Sequence, residues 1–232
     1  MASRMPAPSV PQIFSQSRRM ARARRLARLA LAEPDAQFLR RHAAEDVLDR
    51  LDFMRHPPSE ANLHGDPAGL LAEPLRRLGF TPRAISALAE EQPYPGTPRA
   101  LIVSLFTLDT VNDLPGALIH LRKALAPGGL LIAMLTGAGT LPTLRQVLLA
   151  ADGERPAARV HPQIDNQTAS ALLARAGFTR QVVDTHSLTV TYRSLDRLLA
   201  DLRAQGLTNV LADAPPPLTR KTLARARAAF TE

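Results

Sequence analysis

Two stretches of the chain are apolar with no turn residue inside: residues 99–105, containing Ala-Leu-Ile-Val-Ser-Leu, and residues 130–136. Such runs read as strands buried on both faces. A helical pattern over residues 114–125 lies between them and stops at Pro127-Gly128-Gly129. Upstream, residues 61–64 form a short apolar piece before a glycine turn. Residues 70–78 look helical, with Gly79 as the stop, and residues 83–88 fit a second strand. Strands alternating with helices predict a parallel sheet covered on both faces. Helices are also expected over residues 142–151 and 168–176. Residues 180–185 and 187–192 alternate apolar and polar positions, which predicts a terminal antiparallel strand pair.

The flanks differ from this centre. Residues 17–31 are Arg, Ala and Leu, a strong helix composition. A second helix over residues 35–54 carries Phe38, Val47, Leu48, Leu51 and Met54 at positions that include helical spacings, and Pro57-Pro58 ends it. Two further helices, 195–204 and 219–230, flank an Ala-Pro-Pro-Pro loop. The resulting division is an N-terminal basic helical segment (1–58), an α/β core (59–193) and a C-terminal helical extension (194–232).

Composition narrows the function classes. Among 232 residues there is no Cys, which excludes disulfides, Cys-ligated metal and thiol catalysis. The formal net charge of +8 is unevenly spread. Residues 1–58 carry eleven basic and six acidic residues, residues 59–192 carry eleven of each, and residues 193–232 carry seven and four. The basic excess therefore sits at the ends. A neutral centre and 4% aromatic residues disfavour a nucleic-acid platform. No apolar run approaches the roughly 20 residues of a membrane span.

The candidate chemistry lies after the strands, where open parallel sheets bind ligands. Gly65-Asp66-Pro67-Ala68-Gly69 is a glycine turn that brings backbone close to a nucleotide-like ligand, or a plain strand-to-helix turn. Its middle position is Pro67, which has no N–H to offer. The acid expected about 20 residues beyond it, for ribose hydroxyls, has only Glu90 and Glu91 as substitutes. Asp109, Asn112 and Asp113 follow the clearest strand, and Asn112 or Asp113 also suits the N-cap of the next helix. His161 has no second His at metal spacing, and no metal site is expected.

Several of these stretches resemble the class I S-adenosylmethionine-dependent methyltransferases. They are Val111-Asn112-Asp113-Leu114-Pro115-Gly116, Leu125-Ala126-Pro127-Gly128-Gly129, and Glu90-Glu91-Gln92-Pro93-Tyr94. Gly137-Ala138-Gly139-Thr140-Leu141, Arg175-Ala176-Gly177-Phe178 and the late segment 201–209 extend the match to roughly residues 13–212. Within that family the chain resembles the methyltransferase-like assembly factors of respiratory complex I, including an arginine-hydroxylating branch, and their bacterial homologues.

The resemblance implies a Rossmann-like sheet with helices on both faces. Only 35 residues separate Gly65 from Ala100, room for one strand–helix–strand unit of about 30 residues rather than two. The second helix and third strand are therefore expected to be truncated. It also implies S-adenosylmethionine as cofactor, its pocket damaged and its binding weakened or lost. Gly65, Asp66 and Gly69 would face the methionine and ribose end, Glu90 or Glu91 the adenosine, and Ser104, Leu105 and Phe106 the floor. Asp109, Asn112 and His161 would orient the acceptor. The implied partner is a protein, a respiratory complex subunit, in a bacterial cytoplasm. The Arg-rich N-terminus suits an acidic protein or membrane surface, and nucleic acid is disfavoured. Two function classes follow: a methyltransferase acting on a protein, or a non-catalytic assembly factor.

Overall fold

The structure is a computed structural model and describes residues 10–85, 90–94 and 96–231. Its centre is a four-stranded, all-parallel sheet of order β2-β1-β3-β4. The strands are β1 (Glu60–His64), β2 (Thr81–Ile85), β3 (Arg99–Leu105) and β4 (Leu125–Met134). The helices are α1 (Gln16–Ala32), α2 (Phe38–Phe53), α3 (Ala72–Arg77), α4 (Leu114–Ala124), α5 (Pro142–Asp152), α6 (Asn166–Arg175), α7 (Leu195–Ala204) and α8 (Arg220–Thr231).

Period-two alternation sorts the sheet into two faces. Ala61, Leu63, Leu101, Val103 and Leu105 pack against Val47 and Leu51 of α2 and Leu75 of α3. Ile102 turns the other way and packs with Leu118 and Leu121 of α4, and with Leu172 and Leu173 of α6. Right-handed crossovers explain why the connecting helices take opposite faces. The chain moves outward from β1 to β2 through α3 and in the opposite direction from β3 to β4 through α4. A separate cluster joins α5, α7 and α8 through Leu144, Leu148, Leu195, Leu198, Leu202 and Ala226. At the other end of the chain, Phe14 forms an antiparallel bridge with Leu211.

The truncation expected between the second and third strands is present. β2 ends at Ile85 and β3 begins at Arg99, a separation too short for a helix and another strand. Among the described residues, 90–94 and 96–98 hold neither. They cross the α4-side face of β1 as irregular chain, where Tyr94 packs edge-on to His64 at 5.2 Å.

Other boundaries move. β2 starts two residues before the predicted 83, and residues 86–88 of that prediction fall outside the described residues. The helix predicted over 70–78 is confined to α3, because Asp66 holds the amides of Leu71 and Ala72 from the turn before it. β4 starts at Leu125 rather than 130: Leu125 pairs with Arg99 and Leu130 with Leu101, so Pro127-Gly128-Gly129 bulges out between them.

The predicted antiparallel pair at 180–192 does not form; those residues carry no strand. Val182, Leu188 and Val190 stay exposed, Val182 at 80%. Alternation marks a segment able to pair, but a strand exists only when a ladder and a covering layer meet it. No described helix is long and apolar enough to cross a membrane.

Candidate functional site

The strand order reverses between β1 and β3, so the crevice beyond their carboxyl ends is the topological switch point. The turn after β1 and the segment after β3 meet there. Gly65 has φ +79°, and a Cβ on it would lie 2.1 Å from the Leu105 carbonyl oxygen and 2.8 Å from Thr107. The glycine is thus required for close approach of two strand ends. Gly69 has φ +68° with open space around its Cα. Ser104 is buried and shares a 2.9 Å hydrogen bond with Thr107, which fixes the floor beside buried Leu105. Phe106 adopts φ +57° and donates its amide to the Met134 carbonyl at 2.9 Å.

Three arginines enter this crevice from the helices that precede the sheet. Arg40 of α2 donates to the Gly65 carbonyl at 3.2 Å and to the Gln205 carbonyl, and lies 5.6 Å from the centre of the Phe106 ring. Arg22 of α1 bonds Thr110 Oγ1 at 2.8 Å and the Thr208 carbonyl at 3.2 Å. Burial lowers the pKa of each to about 10, opposed first by the charge of Asp109. Both remain cations at neutral pH. Arg19 is buried and pairs with Glu90 at 3.1 Å.

Asp109 accepts from the Thr136 amide and hydroxyl, both at 2.6 Å, through Oδ1. Its Oδ2 is buried with no hydrogen-bond partner among the described residues. Burial raises the pKa of this carboxyl, against the Thr136 bonds and the charge of Arg22, which lower it. Asp66 is arranged in the same manner: Oδ2 caps α3, and Oδ1 is buried without a partner among the described residues. Arg40 is within coulombic reach of both carboxylates. Each orphaned oxygen is an acceptor that a ligand ammonium or hydroxyl would satisfy.

The other candidates are engaged elsewhere. Glu91 accepts from the amides of Asn112 and Asp113 at the entry to α4, and Asp113 caps that helix by accepting from the Gly116 amide at 2.8 Å. Asn112 clamps the N-terminal segment, accepting from the Phe14 amide at 2.7 Å and donating to its carbonyl at 3.1 Å. His161 accepts the Val210 amide on Nε2 at 2.9 Å and stacks edge-on to Phe14 at 5.4 Å. Burial and then the charges of Arg22 and Arg18 lower its pKa to about 4, so it is a neutral acceptor. Asn112 and His161 hold the two ends of the chain together.

The structure therefore gathers Gly65, Asp66, Leu105, Phe106 and Asp109 at one edge and turns Glu90, Glu91, Asn112 and His161 to structural tasks. Sequence reasoning missed Arg19, Arg22 and Arg40. A signal existed for the first two: Arg19, Arg22, Leu26 and Ala30 share one stripe of α1, the spacing of a buried face. Arg22, one of the arginines of the N-terminal segment expected to suit a docking surface, points inward.

Sheet order and the helices on both faces define a Rossmann-like α/β protein with a polar crevice at its switch point. Comparison with known proteins agrees. The chain is 31% identical over 224 residues to the malonyl-[acyl-carrier protein] O-methyltransferase of Halorhodospira halophila, covering 84% of this chain and 74% of that protein. It is 35% identical over 154 residues to the mitochondrial arginine-hydroxylase NDUFAF5 of Rattus norvegicus and 36% identical to that of Homo sapiens. Those matches cover 64% of this chain and spans of only 45% and 44% of the rat and human proteins. No protein-family model matches the chain. The chain belongs to the class I S-adenosylmethionine-dependent methyltransferase family.

The residues fit that cofactor at one end. The orphaned oxygens of Asp66 and Asp109 suit its ammonium and polar groups. The adenosine end does not fit: Glu90 is held by Arg19 and Glu91 by backbone amides, leaving neither for a ribose.

Proposed function

We propose that this chain is a methyltransferase-like protein that acts on another protein during assembly of a respiratory complex, taking S-adenosylmethionine through the amino-acid end of the cofactor. The carrying observation is the pair of buried, unpartnered carboxylate oxygens, Asp66 Oδ1 and Asp109 Oδ2, at the switch point. Bound there, the cofactor supplies an electrophilic methyl group. The protein's own contribution is positioning, which needs little acid–base help. Asp66 and Asp109 hold the ligand's donors, Arg40 fixes the Gly65 turn, and Phe106 closes the floor. The names of the relatives, an acyl-carrier-protein methyltransferase and an arginine hydroxylase, support a macromolecular acceptor. The soluble bacterial cytoplasm is the proposed compartment.

A second reading is favoured by a specific observation: both candidate ribose acids are consumed by internal contacts. On that reading the chain is a non-catalytic assembly factor, and its outward arginines, such as exposed Arg24 and Arg28 on α1, dock an acidic partner.

Isothermal titration with S-adenosylmethionine and S-adenosylhomocysteine separates the two. The first reading expects micromolar binding, weakened at least tenfold by Asp109→Asn, which keeps the Thr136 bonds. No heat at millimolar ligand, with an unchanged melting temperature, refutes it and leaves the assembly factor. A Gly65 substitution is unsuitable as a control because its Cβ would strike the Leu105 carbonyl.

A further inference from the structure

A cavity of about 180 Å³ lies at the opposite end of the sheet from the switch point. Its wall combines Asn62 from the middle of β1, Pro93 and Tyr94 from the β2–β3 connection, Pro98 just before β3, and His120 and Lys123 from the last turns of α4. Its origin follows from the truncated fold. A helix would ordinarily cover this face of β1, whereas here irregular chain crosses it. β1 correspondingly presents polar side chains, Asn62 and His64, two residues apart on that face, where a doubly covered strand is usually apolar.

Three wall atoms are buried and have no hydrogen-bond partner among the described residues: Asn62 Oδ1, Tyr94 OH and His120 Nδ1. Asn62 is only 8% exposed. Unpartnered buried polar atoms are rare, and three around one cavity call for a ligand that satisfies them together. The chemistry of the wall specifies it. Asn62 Oδ1 accepts only, so the ligand brings an O–H or N–H to the buried side. Tyr94 OH and the Lys123 ammonium donate, and no carboxylate lines the cavity among the described residues. Glu90, which stands near Tyr94, is already paired with Arg19. The ligand's other end is therefore an anion. The volume suits a small molecule, since an engineered cavity of about 150 Å³ holds benzene.

We propose that this cavity is a binding site for a small carboxylate that also carries a hydroxyl or amino donor. Its carboxylate accepts from Lys123 at the mouth and from Tyr94 OH and the Nδ1–H tautomer of His120 deeper in, and its donor meets Asn62 Oδ1. The site is independent of the proposed cofactor edge, so either can fail without the other.

The test titrates L-lactate into the full ¹⁵N-labelled chain, with propionate, which has the same carboxylate but no donor, in parallel. Expected are saturable shifts at the Asn62 side-chain amide and at the Gly96 and Thr97 amides. Lys123→Gln, at an exposed position, and Tyr94→Phe, which removes one oxygen, should each weaken lactate binding at least tenfold with the melting temperature retained. Propionate should bind at least tenfold more weakly. Absence of saturation up to 50 mM lactate, equal affinity for propionate, or undiminished binding to folded Lys123→Gln would each overturn the proposal.

Discussion

The ion pair between Arg19 and Glu90 joins α1 to the segment that precedes β3, 71 residues away, with both side chains 2% exposed. Breaking a buried pair by removing one partner leaves an uncompensated charge and costs about 3–5 kcal/mol. Arg19→Leu and Glu90→Leu should each do so. Replacing both with apolar side chains removes both charges and is often close to neutral. Here the double variant also loses the Arg19 bonds to Thr110 and Gln16, at about 1 kcal/mol each. The double variant should therefore cost about 2 kcal/mol, far less than the sum of the singles. With a urea m-value near 2 kcal/mol/M, each single variant moves the unfolding midpoint down by about 2 M, and the double by about 1 M. Urea titration followed by far-ultraviolet circular dichroism measures all four proteins. Additivity of the singles within about 0.5 kcal/mol would show that the two groups do not interact. It would also free Glu90 to serve a ligand.

Three further outcomes are expected. His64 and His161 both have pKa values lowered by burial to about 4, so between pH 6.5 and 4 the unfolded chain binds more protons and stability falls as pH falls. By pH 5 this should amount to about 2 kcal/mol for each histidine; denaturant midpoints measured from pH 7 to 5 that do not change would contradict it, and His161→Gln should remove about half the dependence. Gly65→Ala should destabilise by about 3 kcal/mol or more, combining left-handed strain with overpacking against the Leu105 carbonyl, whereas Gly69→Ala, in open space, should cost only about 1–2 kcal/mol of strain; equal losses in thermal unfolding would mean that close approach is not the reason for Gly65. Asn112→Ala should cost about 2 kcal/mol and speed hydrogen exchange at the Phe14 amide, which Asn112 holds; retained protection there would contradict the clamp.

Much of the sheet was legible because its signals are local. β3 and the interior of β4 are apolar runs, and α4 opens with Pro at its start and Asp113 as its cap. The truncation was legible by counting, because chain length bounds what can lie between two strands. The hairpin at 180–192 was misread because alternation describes what a segment offers, while a strand also needs a ladder and a layer to cover its apolar face, and Val182, Leu188 and Val190 stay exposed. The site divides along the same line. Gly65 and Asp66 were legible from a turn motif, although the need for Gly65 comes from Leu105, forty residues on. Asn112 and His161 looked chemical because polar residues after strands usually are. Their tasks became visible only when Phe14 and Val210, from opposite ends of the chain, were found beside them.

Arg40 shows why the arginines escaped a reading based on charge. A composition rich in Arg at both ends suggests an outward electrostatic surface, yet Arg19 and Arg40 are each 2% exposed and Arg22 is largely enclosed. Arg can do this because its fork satisfies several carbonyls at once and keeps its charge when buried. The three cations face Glu90, Asp109 and Asp66, so the charge balance of the crevice turns on the ionisation of Asp109. A bound ammonium would add a cation and shift that balance toward ionised Asp109, whose pKa burial raises. Cofactor binding should therefore release protons as pH is lowered toward the carboxyl's own titration. Titrations in two buffers of different ionisation heat would detect them. A binding enthalpy independent of the buffer would place the ammonium away from Asp109.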